Sequence, residues 1–334
     1  MIQMQVNSTM KRKRTRRNAG AAPALLLTRL QRDILRVLLY FDIFKHPLKA
    51  EELYSFLPSN STNPSDILRI CQSHPLTAIV SRKESYIFMR STGESCVEER
   101  LQKERLASRR WRIARAMAML ICRFPFVRGV FVSGELSKGV ASEQGDIDYV
   151  VVTRERRLWI CRTMLILFKK VFLLNSKKYF CLNHFISEDH LTVDLRNLYS
   201  ATEVATLKPV SNGILFQRFV DENAWVADFF PNLRWPWEST PSETSRSSIV
   251  QHLLEQLLPE SGGDRLDAWL MDQWVKVWNH RYVHLDPATR NRLFHCSRHL
   301  STAYGEDFQS RIMNGYYARL SQFGIEEDDA ITDN

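Results

Sequence analysis

The chain has 334 residues, 44% of them hydrophobic and 25% charged, and carries a formal net charge of +9. That length suits two or three domains, and that balance excludes a disordered or fibrous chain. No apolar run reaches the length of a bilayer span: the segment around Leu165 is broken by Lys169 and Lys170, so no membrane association is expected.

The charge is concentrated at the start. Lys11, Arg12, Lys13, Arg14, Arg16 and Arg17 lie within residues 1–24, expected to be a basic disordered tail; without those six the net charge falls from +9 to +3. Such a tail can make weak, non-specific contact with DNA or serve solubility. The apolar stretch "APALLL" after it is too short for a secretory core. Six cysteines are widely spaced, form no CxxC and mostly sit in apolar runs, which predicts reduced core thiols in a cytoplasmic protein.

Residues 25–94 come next. Leu27, Leu30, Ile34, Val37 and Leu38 recur at helical spacing. Pro47 opens a second helix carrying Leu53, Phe56 and Leu57, and Pro64 with Ser65 opens a third. "TAIVSRKESYIFM" reads as two strands around the polar turn Arg82-Lys83-Glu84-Ser85. Three helices followed by a hairpin resemble the winged helix-turn-helix superfamily in element order. The third helix offers only Arg69 and Gln72, beside Asp66, for reading bases, so a protein-contact or structural role is favoured over base readout. An arginine-rich connector helix is expected over residues 95–124.

The motif that carries chemistry lies in residues 125–200. "VRGVFVSG" is a strand closed by the turn Ser133-Gly134, and "GDIDYVVVT" is a second strand with Asp146 and Asp148 at its mouth. "RRLWICRTMLILFKKVFLL" is an apolar helix and "KYFCLNHFIS" a third strand. Two carboxylates at i and i+2 project to one side of a strand and repel each other, an arrangement a divalent cation relieves. Strand, glycine turn, then Asp-x-Asp resembles the DNA polymerase beta-like nucleotidyltransferase superfamily. The resemblance implies Mg²⁺ or Mn²⁺ on Asp146 and Asp148, and a nucleoside triphosphate with its phosphates against Ser133, Gly134, Lys138 and Gly139. It further implies transfer of a nucleotidyl group to an acceptor hydroxyl on a protein, an RNA or a small molecule.

Two residues depart from the family pattern. Glu135 stands where a serine usually follows the turn, and its carboxylate is expected to face and repel phosphate. The third strand offers Asn183 and His184 but no acid, so Asp194, on a possible fourth strand, is the candidate third catalytic carboxylate. His184 is expected to be a hydrogen-bonded strand histidine. A catalytically degenerate nucleotide-sensing regulator, or a DNA- or protein-binding module, is the competing reading.

Residues 201–325 are expected to form a helical domain interrupted by the connector "NLRWPWESTPSETSRSS", with an acidic tail over 326–334. Leu266, Trp269, Leu270, Trp274, Val277 and Trp278 form a stripe expected to be core. His280 with His284, and His295 with His299, have the i, i+4 spacing of a helical metal pair, without further ligands in evident reach. The fold class expected is α+β: a nucleotidyltransferase-like mixed sheet between a winged-helix-like domain and a helical domain.

Overall fold

The computed structural model describes residues 26–60, 62–235 and 249–325, so the basic and acidic tails and most of the Pro/Ser-rich connector lie outside the described residues. Within them the chain is a mixed α/β structure with a three-stranded antiparallel sheet and a five-stranded mixed sheet. No helix among the described residues is long and apolar enough to cross a membrane. All six cysteines are free thiols, four of them buried.

The first region runs α1 (Arg29–Asp42), β1 (Leu48–Lys49), α2 (Ala50–Ser55), α3 (Pro64–Cys71), α4 (Leu76–Ile79), β2 (Val80–Lys83) and β3 (Tyr86–Met89), with sheet order β1-β3-β2. Local chemistry starts the helices: Thr28 and Gln31 form a reciprocal capping box on α1, and Asn63 caps α3 ahead of Pro64. The expected helices and hairpin are present; the short β1 and α4 are additional. Ile34, Leu38, Leu53 and Ile67 are buried together, and the C-terminal helix adds Ile312, Tyr316 and Leu320 to that core.

The long α5 (Ser95–Ile121) leads into β4 (Val127–Ser133), α6 (Gly134–Ser137), β5 (Asp148–Thr153), α7 (Leu158–Phe172) and β6 (Cys181–Ser187). Then follow α8 (Leu198–Thr206), β7 (Lys208–Ser211), α9 (Gly213–Glu222), α10 (Val226–Phe229), α11 (Ile249–Gln256), α12 (Glu260–Arg281), α13 (Pro287–Leu293), β8 (Leu300–Thr302) and α14 (Phe308–Gln322). The large sheet has the order β7-β4-β5-β6-β8, antiparallel except for the β5–β6 pair. Both edge strands therefore come from the region expected to be helical. Each is short and carries too little alternation to stand out from its helical surroundings.

Apolar side chains on both faces of the central strands create two cores. Tyr149 and Val151 face α5, α7 and α12, while Val150 and Val152 face α8, α9 and α10. Each such fully buried side chain contributes about 1.5–3 kcal/mol. One helix start depends on this packing. Arg157 precedes α7 without capping it, and the buried Asp267 of α12 instead accepts from the Trp159 and Ile160 amides at 2.8 and 2.9 Å. The tryptophan stripe is split by the same docking: Trp278 is buried, whereas Leu266, Trp269 and Val277 are exposed.

Candidate functional site

The end of β4 and the starts of β5 and β6 meet at one mouth of the large sheet. Ser133 pairs with Asp148, and Asp148 pairs with Cys181. Gly134 makes the approach possible. Its φ is +69°, and a Cβ there would lie 2.7 Å from Asp148 Oδ2, so any side chain would collide with the carboxylate. Gly139 also has positive φ (+77°), but open space surrounds it, so its role is the backbone turn alone. The helix α6 between these glycines is a single turn.

Asp146 precedes β5 in a loop that is pinned from three sides. Arg110 of α5, buried rather than solvent-facing, donates to the carbonyls of Gly145 at 2.5 Å and Glu143 at 2.8 Å. Glu135 accepts from the Ser142 amide and hydroxyl, both at 2.8 Å. The fully buried Ile147 donates its amide to the Lys178 carbonyl and accepts from the Cys181 amide. Asp146 is thus held beside Asp148 by loop contacts rather than by strand alternation.

Burial pushes the Asp148 carboxyl up to about 6; the Cys181 thiol hydrogen bond and Lys138 oppose this, while Asp146 and Glu203 add to it. Glu203, on α8, is the carboxylate that sequence reasoning missed. It pairs with Lys138 at 2.9 Å, and its charge raises the Tyr199 and Tyr304 phenols as well. Nothing in "LYSATEVAT" distinguishes Glu203 from an ordinary exposed helical glutamate; only the packing of α8 on the sheet brings it to the mouth.

No known protein family, curated protein or solved structure matches this chain. The site therefore has to be read from its own chemistry.

Ser133, Gly134, Asp146 and Asp148 are brought together as expected. Lys138 also reaches the mouth, but its ammonium is engaged by Glu203 and, at 3.3 Å, by the Gly134 carbonyl. Glu135 differs from expectation: its carboxylate is occupied with the Ser142 amide and hydroxyl in holding the loop. Asp194 is not in the cluster. The segment after Ser187 forms no fourth strand there, and Asp194 is exposed with a 3.8 Å contact to His190. Asn223, which bonds the Leu191 carbonyl and Val193 amide, secures this stretch as a loop against α9.

His184 is a half-buried strand histidine whose Nδ1 lies 2.8 Å from the Tyr304 hydroxyl. Burial, reinforced by Arg162 and His295, lowers it to about 4, so the imidazole is neutral near pH 7. The pair His295 and His299 is not on a helix, since Cys296 and Ser301 form a bridge between them and β8. Among the described residues, no three His, Cys, Asp or Glu side chains converge as a preformed metal cage. The donors that do gather at the mouth are hard oxygens. Mg²⁺ accepts one or two carboxylates and completes its shell with water and substrate phosphate, so Asp146 and Asp148 are chemically suited to it.

Proposed function

We propose that this protein is a metal-dependent nucleotidyltransferase, moving a nucleotidyl group from a nucleoside triphosphate to an acceptor hydroxyl. The observation that carries the reading is Asp148, a carboxylate held in a partly buried mouth beside Asp146 and Glu203, with its pKa pushed up to about 6. A carboxylate in that setting is stabilised by an arriving cation. Asp146 and Asp148 would hold the ion, which when bound supplies charge neutralisation for the triphosphate. The pinned loop fixes the distance between the two carboxylates. Gly134 lets backbone amides come close to phosphate oxygens, and Ser133 adds a hydroxyl at the same turn.

The sheet order and the glycine turn support a nucleotidyltransferase-like fold for the large sheet. The order α1-β1-α2-α3-α4-β2-β3, with the short α4 added ahead of the hairpin, supports a winged-helix-like fold for the first region. Its cations are locally engaged: Arg69 with Asp66 at 2.7 Å, Arg82 with the Glu84 carbonyl at 2.9 Å, and Lys83 with Glu94 and Glu98. Such pairing favours a contact or structural role over base reading.

The second reading is a nucleotide-sensing regulator with a degenerate site. The Lys138–Glu203 ion pair favours it, because it occupies both the expected phosphate-binding lysine and the nearest additional carboxylate. Incubation with labelled triphosphates and Mg²⁺ or Mn²⁺ separates the two. Pyrophosphate release with label on an acceptor, lost in Asp146→Asn and Asp148→Asn, is expected of the transferase. Saturable binding without release would establish the sensor, and absence of both would reject the site.

A further inference from the structure

Two histidines that the functional reading leaves unused meet at the far end of β6. The Asp146–Asp148 mouth lies at the starts of β5 and β6, whereas His190 follows the last residue of β6, Ser187. His299 directly precedes β8, the neighbour of β6 in the sheet. Spacing along the chain couples His299 with His295, but the fold couples it with His190. The two ring centroids are 5.5 Å apart, at an interplanar angle of 43°.

The backbone fixes this coupling. The Ser187 amide donates to the His299 carbonyl at 2.9 Å, and the His190 amide donates to the Ser187 carbonyl at 3.1 Å. One fully buried residue therefore holds both histidines. The Ser297 hydroxyl secures the other side by accepting from the His299 and Leu300 amides at 3.2 and 2.9 Å. Each ring also meets a carboxylate. His299 Nδ1 lies 3.2 Å from Asp189 Oδ2, and the Ser187 hydroxyl donates to Asp189 in turn. His190 Nε2 lies 3.8 Å from Asp194 Oδ1. Both imidazoles are partly exposed, so an ion from solvent can reach them.

A metal-bound imidazole uses one ring nitrogen for the ion, while a carboxylate beside the other sets its tautomer and orientation. At metal–nitrogen distances of about 2.0–2.1 Å and tetrahedral angles, two imidazoles on one ion have ring centres about 5–5.5 Å apart. The separation of His190 and His299 meets that requirement. No third side chain converges on them, so water would complete the shell. Imidazole suits zinc, copper and nickel, whereas magnesium prefers oxygen. We propose that His190 and His299 bind a divalent transition-metal ion of the zinc class, with Asp189 and Asp194 orienting the two rings. This site stands apart from the Asp146–Asp148 mouth and does not rest on the transferase reading.

The test titrates the metal-free full chain with Zn²⁺ by calorimetry, near neutral pH and with Mg²⁺ in excess. Wild type is expected to bind Zn²⁺ saturably in spite of the Mg²⁺. His190→Gln and His299→Gln are each expected to weaken that binding by about tenfold or more, and Asp189→Asn by about tenfold. His295→Gln and Asp148→Asn are expected to leave it unchanged. Zn²⁺ is also expected to raise the melting temperature of wild type and not that of His190→Gln, a difference that a purely structural role for His190 would not produce. His190 lies in the loop after β6, so its variant decides the matter even where His299→Gln fails to fold. Absence of saturable Zn²⁺ binding in wild type, or wild-type affinity in His190→Gln, overturns the inference. Loss of Zn²⁺ binding in Asp148→Asn also overturns it, by placing the ion at the mouth.

Discussion

The two sheets handle charge in opposite ways. On the three-stranded sheet and its helices, Arg69, Lys83 and Arg90 find a carboxylate or carbonyl close by, and Arg82 closes its own turn onto Glu84. At the mouth of the five-stranded sheet, Asp148 sits with two further carboxylates, Asp146 and Glu203, whose charges add to the rise of its own pKa. Charges satisfied by a neighbouring carboxylate or carbonyl set local geometry and solubility, each contributing about 0–1 kcal/mol when exposed. Like charges gathered in a partly buried site raise the free energy of the ligand-free fold, and a cation that answers them recovers it as binding. The difference directs functional interest to the second region.

The largest expected effect is at Asp148. Asp148→Asn should weaken Mg²⁺-dependent triphosphate binding about a hundredfold or more, about 3 kcal/mol, measured by calorimetry. The same group predicts a pH dependence of opposite sense for the ligand-free fold. Its folded pKa, about 6, lies above the ordinary 3.8, so folding takes up a proton between those values. Unfolding free energy should therefore fall as pH rises through that window and stay level above it, by up to roughly 3 kcal/mol from this group. Urea titrations at pH 4 and pH 7.5 should show that fall in wild type and a smaller one in Asp148→Asn. Equal pH dependence in the two proteins would mean Asp148 is not the strained group.

DNA binding tests the other side of the comparison. Deleting residues 1–20 should lower non-specific DNA affinity about tenfold or more at low salt and flatten its salt dependence, since phosphate contacts by the six basic residues would dominate. Sequence-specific binding that survives the deletion would show that the first region reads bases. A smaller effect is expected at Glu135. Glu135→Ser should cost about 1 kcal/mol of stability by releasing Ser142, with triphosphate affinity reduced slightly as the Asp146 loop loosens. A clear gain in affinity would instead show that the carboxylate opposes phosphate. The smallest effect belongs to the hairpin: alanine at both Arg82 and Lys83 should change stability by about 0.5 kcal/mol or less and leave DNA affinity unchanged.

Much of the site was legible in the chain because it is local. Ser133-Gly134 and Asp146-Ile147-Asp148 lie within sixteen residues, and the strands on either side are marked by Val, Phe and Tyr. Two expectations differ from the structure, one decided by distant packing and one by a loop. Asp194 falls in a loop held by Asn223, about thirty residues away, and Glu135 is drawn to Ser142 by the fold of its own loop. Glu203 and Arg110 could not be singled out, since each sits in a helix where its residue type is unremarkable.

By itself the sequence determined the elements whose signals are short-range: the capped helices, the hairpin, the glycine turn and the strand that opens on Asp148. Hydrogen bonds three or four residues apart and side-chain alternation need no distant partner. Only the tertiary structure decided which strands edge the large sheet and which carboxylate joins Asp148. Those outcomes depend on how α5, α7 and α8 pack against the sheet from either face, and burial converts a surface glutamate into a charge with consequences.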